Sequence, residues 1–543
     1  MKGGPRENRP PFFKSVRNYF REYCQCSSIH GFRYFGEKRT HFERVWWFVV
    51  FSVTLAGCVM SIRMVYKRWV RSPVIVSFAT KETPIYSIPW PAVTICPEFK
   101  SNQNVYSHSN VVQKFASNQS LTQKEEKILQ YMGLICDDNE IIKYTDEELT
   151  FTDDFYKTLE EISEGVFPFQ SCEYFGFKLE GKDCLTWFRP IITDEGICYT
   201  FNVLDKHEIF KDPSWLPDNY YKADKSALGL WTMDGGYSRS SDLHAYPRRA
   251  LLAGATNALS VTLNMSYFNK DYSCKKARTG FRVTLHLPSR VPRPSQDYFQ
   301  VPLNEIVLAA VRPELTTTDP DIEIYNPSRR ECYFPDEKEL KFFKLYTARN
   351  CALECLTNYT LNICGCVNFY MPRDNATEMC GIGKANCMKD AQFNFELAAL
   401  RMKIHQNNQS NISPSEMKNF LYDYQQGCNC MPTCTDLTYN VETSQSKLDY
   451  VRAMKVEQAD KSFNADLDTY YVSKLILFFK SSQFIGSERH VLYGPTDFLA
   501  NFGGLLGLFT GFSILSLMEA IYFLTVRLCC NSRLYGYWAG PDK

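Results

Sequence analysis

Residues 498–526 read FLANFGGLLGLFTGFSILSLMEAIYFLTV and contain no lysine or arginine and one acid, Glu519. At 1.5 Å per residue, a helix of this length more than covers the roughly 30 Å hydrocarbon core of a bilayer. The stretch therefore predicts a membrane-spanning helix close to the C-terminus.

The composition of this segment separates a pore from a plain anchor. Gly503, Gly507 and Gly511 recur every fourth residue, which places them on one helix face and lets neighbouring helices approach closely. Glu519 is costly at bilayer depth unless it faces a bundle interior or water. Residues 511–513 put a flexible glycine and a hydroxyl in mid-span, where a backbone break is tolerated only beside a cavity or within protein. We interpret the segment as the wall of an aqueous path for a cation; the alternative is a packed anchor with one snorkelling or protonated glutamate.

A second apolar stretch predicts another span near the N-terminus. Residues 45–62 carry no charge, begin with tryptophans at interface depth and are followed by basic residues. We place the first transmembrane helix at 45–66. A signal peptide would lie earlier and end in a small-residue cleavage site, so this segment is expected to remain in the mature protein.

Local charge predicts the topology. Residues 1–44 contain ten Lys or Arg against four acids, although the whole chain has a net charge of only +1. By the positive-inside tendency, residues 1–44 and 527–543 are cytosolic and residues 67–497 form an extracellular domain. The protein is then a two-span protein of the plasma membrane with membrane lipid around it, and nothing in its composition indicates nucleic-acid binding.

The middle region has the sequence features of an extracellular domain. Sixteen of the 21 cysteines lie in it, an even number in an oxidising compartment, and predict up to eight disulfides of undetermined connectivity. These cysteines are Cys96, Cys136, Cys172, Cys184, Cys198, Cys274, Cys332, Cys351, Cys355, Cys364, Cys366, Cys380, Cys387, Cys428, Cys430 and Cys434. The region also holds six Asn-x-Ser/Thr sequons as candidate glycosylation sites, at Asn118, Asn264, Asn358, Asn375, Asn408 and Asn411.

The other five cysteines are expected to be reduced. They are Cys24, Cys26, Cys58, Cys529 and Cys530, which fall in the predicted cytosolic and membrane segments. The adjacent pair at 529–530 is a candidate for palmitoylation or a plain thiol pair.

Periodicity predicts a mixed α and β extracellular domain. Runs at 74–80, 91–96, 281–287 and 475–480 are typical of strands, and the last leads directly into the second span. A strand continuous with each membrane helix would form a stalk.

Helix signals cluster in two places. Capping patterns predict helices beginning near Thr122 and Thr152. Later, Cys351 and Cys355 share a helix face, and residues 413–424 have an N-cap followed by helical spacing. We expect the latter two helices to be joined by disulfides.

No cofactor, metal or enzymatic activity is expected. Two cysteine groups, at 364–366 and 428–434, loosely resemble a zinc cluster, but disulfides are favoured outside the membrane. The sequence has no phosphate-binding glycine loop, zinc-protease helix or nucleophile elbow.

These features together resemble the degenerin/epithelial sodium channel superfamily over nearly the whole chain. The resemblance rests on His30-Gly31, Pro91–Cys96, Cys351-x3-Cys355, Cys364-x-Cys366 with Met371-Pro372, and Gly511-x-Ser513 with Glu519. It implies a trimer, a homotrimer in the simplest case, with two spans per subunit and an α+β extracellular domain of palm, finger, thumb, knuckle and β-ball. Finger helices would occupy about 100–165 and the thumb about 335–435. It also implies a permeant sodium ion and block by amiloride.

The resemblance assigns the pore residues as well. It implies a selectivity filter of Gly511, Phe512 and Ser513. The other implied pore residues are His30 and Gly31 in a re-entrant cytosolic loop, Ala500, Gly504, Gly507 at the position associated with amiloride block, and Glu519. Tyr522 stands where acid-sensing members have a second acid, so the pattern leaves the degree of sodium over potassium selectivity open.

The gating stimulus is inferred from the resemblance to one branch. The compact cytosolic tails are most similar to channels opened by extracellular FMRFamide-type neuropeptides, while opening by protons or by force are the alternatives within the superfamily. An amidated peptide with Phe and Arg needs carboxylates and apolar surface, which we assign to Tyr131, Met132, Asp153, Asp154, Phe155 and Tyr156. The alternative is that Phe155 is core and the aspartates complement a helix dipole. A non-conducting surface receptor and a two-span ATP-gated channel are the rivals outside the superfamily.

Overall fold

The computed structural model describes residues 11–71, 74–136, 150–164, 167–212, 214, 216–223, 231–408, 428–457 and 469–540. The chain divides into two compact units. The first unit comprises Met1–Val76, Asp319–Arg330 and His490–Lys543, and the second comprises Ser77–Thr318 and Glu331–Arg489.

Helices occur in both units and are numbered in chain order. They are α1 (Phe12–Cys26), α2 (Arg33–Gly36), α3 (His41–Arg71), α4 (His108–Ala116), α5 (Gln123–Ile135), α6 (Asp154–Ser163), α7 (Lys206–Ile209), α8 (Pro327–Arg330), α9 (Ala348–Cys364), α10 (Ala385–Asn408), α11 (Tyr450–Glu457), α12 (Pro495–Thr510), α13 (Ile514–Leu524) and α14 (Val526–Tyr535).

Strands are numbered in the same way. They are β1 (Val74–Pro84), β2 (Ala92–Pro97), β3 (Thr150–Phe151), β4 (Phe169–Tyr174), β5 (Phe177–Glu180), β6 (Phe188–Thr193), β7 (Gly196–Phe201), β8 (Trp231–Thr232), β9 (Gly236–Tyr237), β10 (Leu259–Ser266), β11 (Phe281–His286), β12 (Phe299–Val301), β13 (Glu305–Thr318), β14 (Met379–Cys380), β15 (Asp436–Lys447), β16 (Tyr470–Phe479) and β17 (Gln483–Val491).

The first unit is built on the packing of α3 against α12. Gly57 on α3 lies opposite the ring of Phe509, and a Cβ at Gly57 would be only 3.3 Å from that ring. Among the described residues, two helical stretches are long and apolar enough to cross a membrane, His41–Val70 and Ile514–Tyr535. The first extends beyond the predicted 45–66 because the charged residues on both sides continue the same helix.

The second unit contains two main sheets. One has the strand order β1-β17-β13-β16-β10-β4-β5, with β15 also paired to β13, and the other has the order β12-β11-β2-β7-β6. Alternate residues of β10 are buried, as expected of a strand with one face on a core. One apolar cluster of this unit combines residues from both sheets, including Val261 and Leu475 of the first and Val93 and Val283 of the second.

All four predicted strand runs fall within strands to within one residue, in β1, β2, β11 and β16. One detail is wrong: β16 does not lead directly into the second span. A further strand, β17, follows β16 and precedes α12. The reason is that residues 483–491 pair alongside β13, so the chain runs through the sheet once more before it reaches the helix.

The segments predicted as finger and thumb each contribute helices to one core of the second unit. Thr122 caps α5 with the predicted reciprocal capping box to Glu125. Phe155 of α6 and Cys351 of α9 belong to the same apolar cluster. The predicted helix at 413–424 lies outside the described residues.

All sixteen cysteines of the second unit form disulfides. The pairs are Cys96–Cys198, Cys136–Cys274, Cys172–Cys184, Cys332–Cys434, Cys351–Cys430, Cys355–Cys428, Cys364–Cys387 and Cys366–Cys380. The five remaining cysteines are free, as predicted. The zinc-cluster alternative is therefore wrong, because every cysteine it requires has a disulfide partner and offers no thiolate.

Candidate functional site

The predicted second span is broken at residues 511–513. Gly511 ends α12 in the left-handed conformation, with φ of 68°, and its N–H donates to the carbonyl of Gly507 at 2.9 Å. Ser513 is extended and caps α13, because its hydroxyl accepts from the N–H of Ser516 at 3.3 Å. The break therefore follows from a glycine C-cap and a serine N-cap placed two residues apart.

One face of α12 is open with respect to the described residues of the chain. Cβ atoms added at Gly503, Gly504 or Gly507 would meet nothing within 4 Å, and Ala500 is exposed. The side of the helix that packs on α3 is the opposite one, where Phe498 stacks on Trp69 with ring centroids 5.1 Å apart. The glycine row therefore does not serve the close approach of α3 and α12; that role belongs to Gly57, which the sequence analysis did not single out.

The His30-Gly31 segment contacts the break directly. The N–H of His30 donates to the carbonyl of Thr510 at 2.9 Å. A Cβ at Gly511 would lie 2.6 Å from Nδ1 of His30, so the imidazole occupies the space that any other residue at 511 would need. Gly31 has φ of 88°, which allows the tight turn that brings the imidazole there.

Glu519 is held by the same N-terminal segment. Both the N–H and the hydroxyl of Ser28 donate to Oε2 of Glu519, each at 3.0 Å. The Ser28 hydroxyl also lies 2.7 Å from the buried hydroxyl of Ser516. Ser28 and Ser516 are functional candidates that sequence reasoning missed, because a serine next to a His-Gly pair carries no signal by itself.

The short helix α8 of the first unit contacts the C-terminal end of α3. The guanidinium of Arg329 lies 4.9 Å from the centre of the Trp69 ring and donates to the Trp69 carbonyl at 3.0 Å. Trp69 thus lies between Arg329 and Phe498, and links the 319–330 segment to both membrane helices.

Four of the six residues assigned to a peptide site are core residues. Tyr131, Met132, Phe155 and Tyr156 are each no more than 5% exposed, and the Tyr131 and Phe155 rings pack together. Their side chains are therefore covered by protein, as the core alternative for Phe155 predicts. They are buried in the larger core cluster, where Phe155 also packs on Phe151 and Phe369 and the Tyr156 hydroxyl donates to the Phe369 carbonyl.

The two aspartates of that group remain at the surface. Asp153 accepts from Arg373 at 2.7 Å, and Asp154 forms an ion pair with Lys127. The hydrogen bond to Asp154 raises the pKa of the Lys127 ammonium. Asp153 also lines a surface groove with three other carboxylates, Glu160, Asp212 and Asp218, against two lysines.

The buried histidine of β11 stays neutral. His286 contacts Thr94 through Nε2 at 2.8 Å and the Leu287 carbonyl through Nδ1 at 2.9 Å. Burial lowers the pKa of His286 to about 4. It therefore does not change charge between pH 5 and 6.

The candidate glycosylation sites differ in exposure. Asn118, Asn358 and Asn375 are exposed, and Asn264 is half-buried in β10. Asn411 and the side chain of Asn408 lie outside the described residues.

Comparisons with known proteins converge on one family. A family model described as amiloride-sensitive sodium channel matches residues 23–523. Pickpocket protein 28 of Drosophila melanogaster is 30% identical over 539 residues, which cover 94% of this chain and 79% of the relative. Sodium channel protein Nach of Drosophila ananassae is 23% identical, with 96% and 89% of the two chains covered. Bile acid-sensitive ion channel of Homo sapiens is 21% identical, with 94% and 86% covered.

Proposed function

Because the chain belongs to the amiloride-sensitive sodium channel family, we propose that residues 511–513 form the narrow part of its sodium-conducting pore. Members of this family are ion channels and not enzymes. The observation that carries the assignment is the break between α12 and α13, flanked by an open glycine face. Irregular backbone at membrane depth is tolerated where it lines a cavity or is enclosed by protein.

The geometry of the break suits a cation. The C-terminal end of α12 carries partial negative charge, and the non-helical residues 511–513 present carbonyl and hydroxyl oxygens outside the helical hydrogen-bond ladder. Oxygen ligands of this kind replace part of the hydration shell of a sodium ion. Below the break, the Glu519 carboxylate adds negative charge that attracts cations.

A pore of this kind needs more than one copy of the chain. The face that carries Ala500, Gly504 and Gly507 is open within one subunit. Three copies with these faces turned to a common axis close the pore, and glycines allow the helices to come near it. We propose a homotrimer with cytosolic termini, amiloride acting as a blocker near Gly507, and the Ser28–His30 segment lining the inner part of the pore.

Substitution of Ser513 tests the filter assignment. Ser513→Val removes the hydroxyl and widens the side chain, so we expect a changed sodium/potassium permeability ratio. Ser513→Thr keeps the hydroxyl that caps α13, and Thr525→Val removes a hydroxyl at the opposite end of the same helix; both controls should keep the ratio closer to wild type. Reversal potentials in mixed sodium and potassium solutions measure it, and an unchanged ratio in a conducting Ser513→Val channel rules the assignment out.

An extracellular amidated peptide is the proposed opening ligand. The support is the acidic groove beside Asp153, whose four carboxylates outnumber its two lysines and which also contains Leu216 and Pro217. A peptide arginine pairs with the carboxylates, while a phenylalanine ring covers the apolar residues. Tyr131 and Phe155 are buried in the core and do not contact the peptide in this proposal. Leu216 and Pro217 of the groove contact the peptide's phenylalanine ring instead.

Voltage-clamp recording from cells that express this chain alone tests the gating. FMRFamide and then pH 5 to 6 solution, a range below the ordinary histidine pKa of about 6.5, are applied with and without amiloride. A peptide-evoked sodium current blocked by amiloride supports the proposal. A current evoked by acid alone contradicts peptide gating and favours the proton-gated alternative.

Replacement of carboxylates in the groove tests whether the peptide binds there. Asp153→Asn, and separately Glu160→Gln with Asp218→Asn, should raise the half-maximal peptide concentration about two- to fivefold, since exposed ion pairs are weak. Glu180→Gln removes an exposed carboxylate of β5 outside the groove and should not shift it. Equal responses in all variants contradict the groove as the binding site without affecting the pore assignment.

A further inference from the structure

The N-terminal helix α1 has three distinct faces. Phe12, Ser15 and Tyr19 belong to the face that packs on the rest of the unit. Phe13, Val16 and Phe20 form a second, apolar face within roughly 60° of arc. Lys14, Arg17 and Arg21 form the third face, which is basic.

The packed face determines the position of α1 within the first unit. The Tyr19 ring contacts Phe523 near the end of α13, and Glu22 forms an ion pair with Arg527 of α14. Trp538 packs on Tyr19 with ring centroids 5.9 Å apart. These contacts hold α1 beside the C-terminal end of the second membrane helix.

The apolar face is exposed in the described part of the chain, although the Phe13 ring has an edge contact with Phe12 of the same helix. Phe13 is 86% exposed, Phe20 49% and Val16 41%. Apolar side chains left in water cost free energy that burial would recover. Their position next to the end of a membrane helix makes the lipid of the same bilayer the nearest apolar medium.

The charge of the neighbouring face indicates the class of lipid headgroup that this helix would contact. Lys14, Arg17 and Arg21 carry three positive charges on one side of α1, and the only acid of the helix, Glu22, is neutralised by Arg527 on the packed face. A basic face next to an apolar stripe is typical of helices that lie in the headgroup region of anionic membranes.

We propose that α1 binds the anionic inner surface of the membrane. Phe13, Val16 and Phe20 enter the boundary between headgroups and acyl chains, and Lys14, Arg17 and Arg21 pair with lipid phosphates and carboxylates. The inference rests on the cytosolic N-terminus proposed above, but not on conduction or on the identity of the ligand. Because α1 also holds α13 through Tyr19, anionic lipid then stabilises the segment that carries Ser28 and His30.

Spin-label accessibility in the full-length protein tests the proposal. Phe20→Cys, and Val16→Cys as a second position, are labelled in a background with Cys26, Cys529 and Cys530 changed to Ser, since Cys24 and Cys58 are buried. Gln25→Cys, on the polar side of the same helix, is the control. In vesicles of phosphatidylcholine with phosphatidylserine, labels at 16 and 20 should collide with oxygen and be shielded from a water-soluble nickel complex, and the label at 25 should show the reverse.

Charge variants test the lipid preference with the same readout. Replacement of Lys14, Arg17 and Arg21 by Gln should weaken the preference for phosphatidylserine over phosphatidylcholine vesicles about fivefold per charge. Replacement of Arg33, Lys38 and Arg533 by Gln removes three charges away from α1 and should leave it unchanged.

Three results overturn the proposal. Labels at 16 and 20 that are open to the nickel complex show that the face is in water. Labels shielded from both reagents show that a second copy of the chain or another protein covers it. Shielding that is indifferent to phosphatidylserine and to the α1 charges shows that anionic lipid is not recognised. None of these readouts requires the channel to conduct, so they are independent of the pore assignment.

Discussion

At the residue scale, two constraints meet at Gly511. Its φ of 68° is a conformation that costs other L-residues about 1–2 kcal/mol, and its missing side chain makes room for the His30 imidazole. The first constraint ends α12, and the second allows the N-terminal segment to pack against the break. One glycine thus serves both the backbone turn and the contact with His30, which lies 481 positions earlier in the chain.

Gly511→Ala is therefore expected to abolish or strongly reduce current at normal surface expression. The added methyl group is placed 2.6 Å from the His30 ring, so the ring must move. The measurement is whole-cell current normalised to surface protein.

Two controls distinguish backbone strain at position 511 from collision with the His30 ring. Gly365→Ala imposes a similar backbone strain, at φ of 77° in the left-handed region at the end of α9, with no atom within 4 Å of the new Cβ, and should conduct normally. Gly511→Ala combined with His30→Ala removes the collision and should recover part of the current if the collision dominates. Wild-type current from Gly511→Ala alone contradicts the geometry of the break.

His286 gives a prediction about pH and stability. Its folded pKa of about 4 lies below the ordinary value of about 6.5, so the unfolded chain binds the proton more readily. The stabilisation is fully present above about pH 6.5 and is lost as pH falls toward 4, by roughly 3 kcal/mol in total. Thermal unfolding of purified protein at pH 7 and pH 4.5 should show a smaller decrease in Tm for His286→Gln than for wild type. The exposed control His207→Gln should keep the wild-type decrease, and an equal decrease in all three proteins contradicts a buried neutral imidazole.

At the element scale, Trp69 joins three segments of the first unit. Its ring lies against Phe498 of α12 and under the guanidinium of Arg329, and it belongs to α3 itself. The 319–330 segment follows β13 directly along the chain and returns to the second unit at Glu331. We expect a displacement of that segment to reach α3 and α12 through the contacts of Trp69.

Trp69→Ala should weaken the response to the opening stimulus without altering ion selectivity. The contact is lost at position 498 of α12, about 20 Å along the helix from Gly511, so the filter is not disturbed. Dose–response curves and reversal potentials measure the two properties, with Val70→Ala, an exposed neighbour on α3, as the control. A changed permeability ratio with an unchanged dose–response curve contradicts this role for Trp69.

At the scale of the whole molecule, the redox state of cysteine follows the division into units. All eight disulfides lie in the second unit and all five free cysteines in the first. Disulfides persist in oxidising compartments and thiols in the cytosol. The distribution agrees with a second unit outside the cell and free thiols on the cytosolic side or within the membrane.

A membrane-impermeant maleimide tests this topology. Intact cells should show no labelling, and permeabilised cells should show labelling of the exposed thiols Cys26, Cys529 and Cys530. The variant with these three changed to Ser should remain unlabelled in both conditions, because Cys24 and Cys58 are buried. Labelling of wild type on intact cells contradicts cytosolic termini.

The amino-acid sequence by itself determined the features that depend on neighbours within a few residues. The two apolar stretches, the four strand runs and the capping box at Thr122 follow from local composition and spacing. So does the number of disulfides, because parity and compartment suffice for it. The candidate break at residues 511–513 was visible for the same reason, since a glycine and a serine two residues apart form a C-cap and an N-cap.

The tertiary structure alone decided which distant groups meet. Sixteen cysteines admit many pairings, and only packing selects Cys351–Cys430 over its alternatives. Ser28 and Glu519 are 491 residues apart, and no local pattern marks Ser28 as a partner. Phe155 has the same spacing in the sequence whether it binds a ligand or fills a core, and its burial against α5 decides the question. Local propensity acts over one helical turn, whereas these contacts depend on the free energy of packing the whole chain.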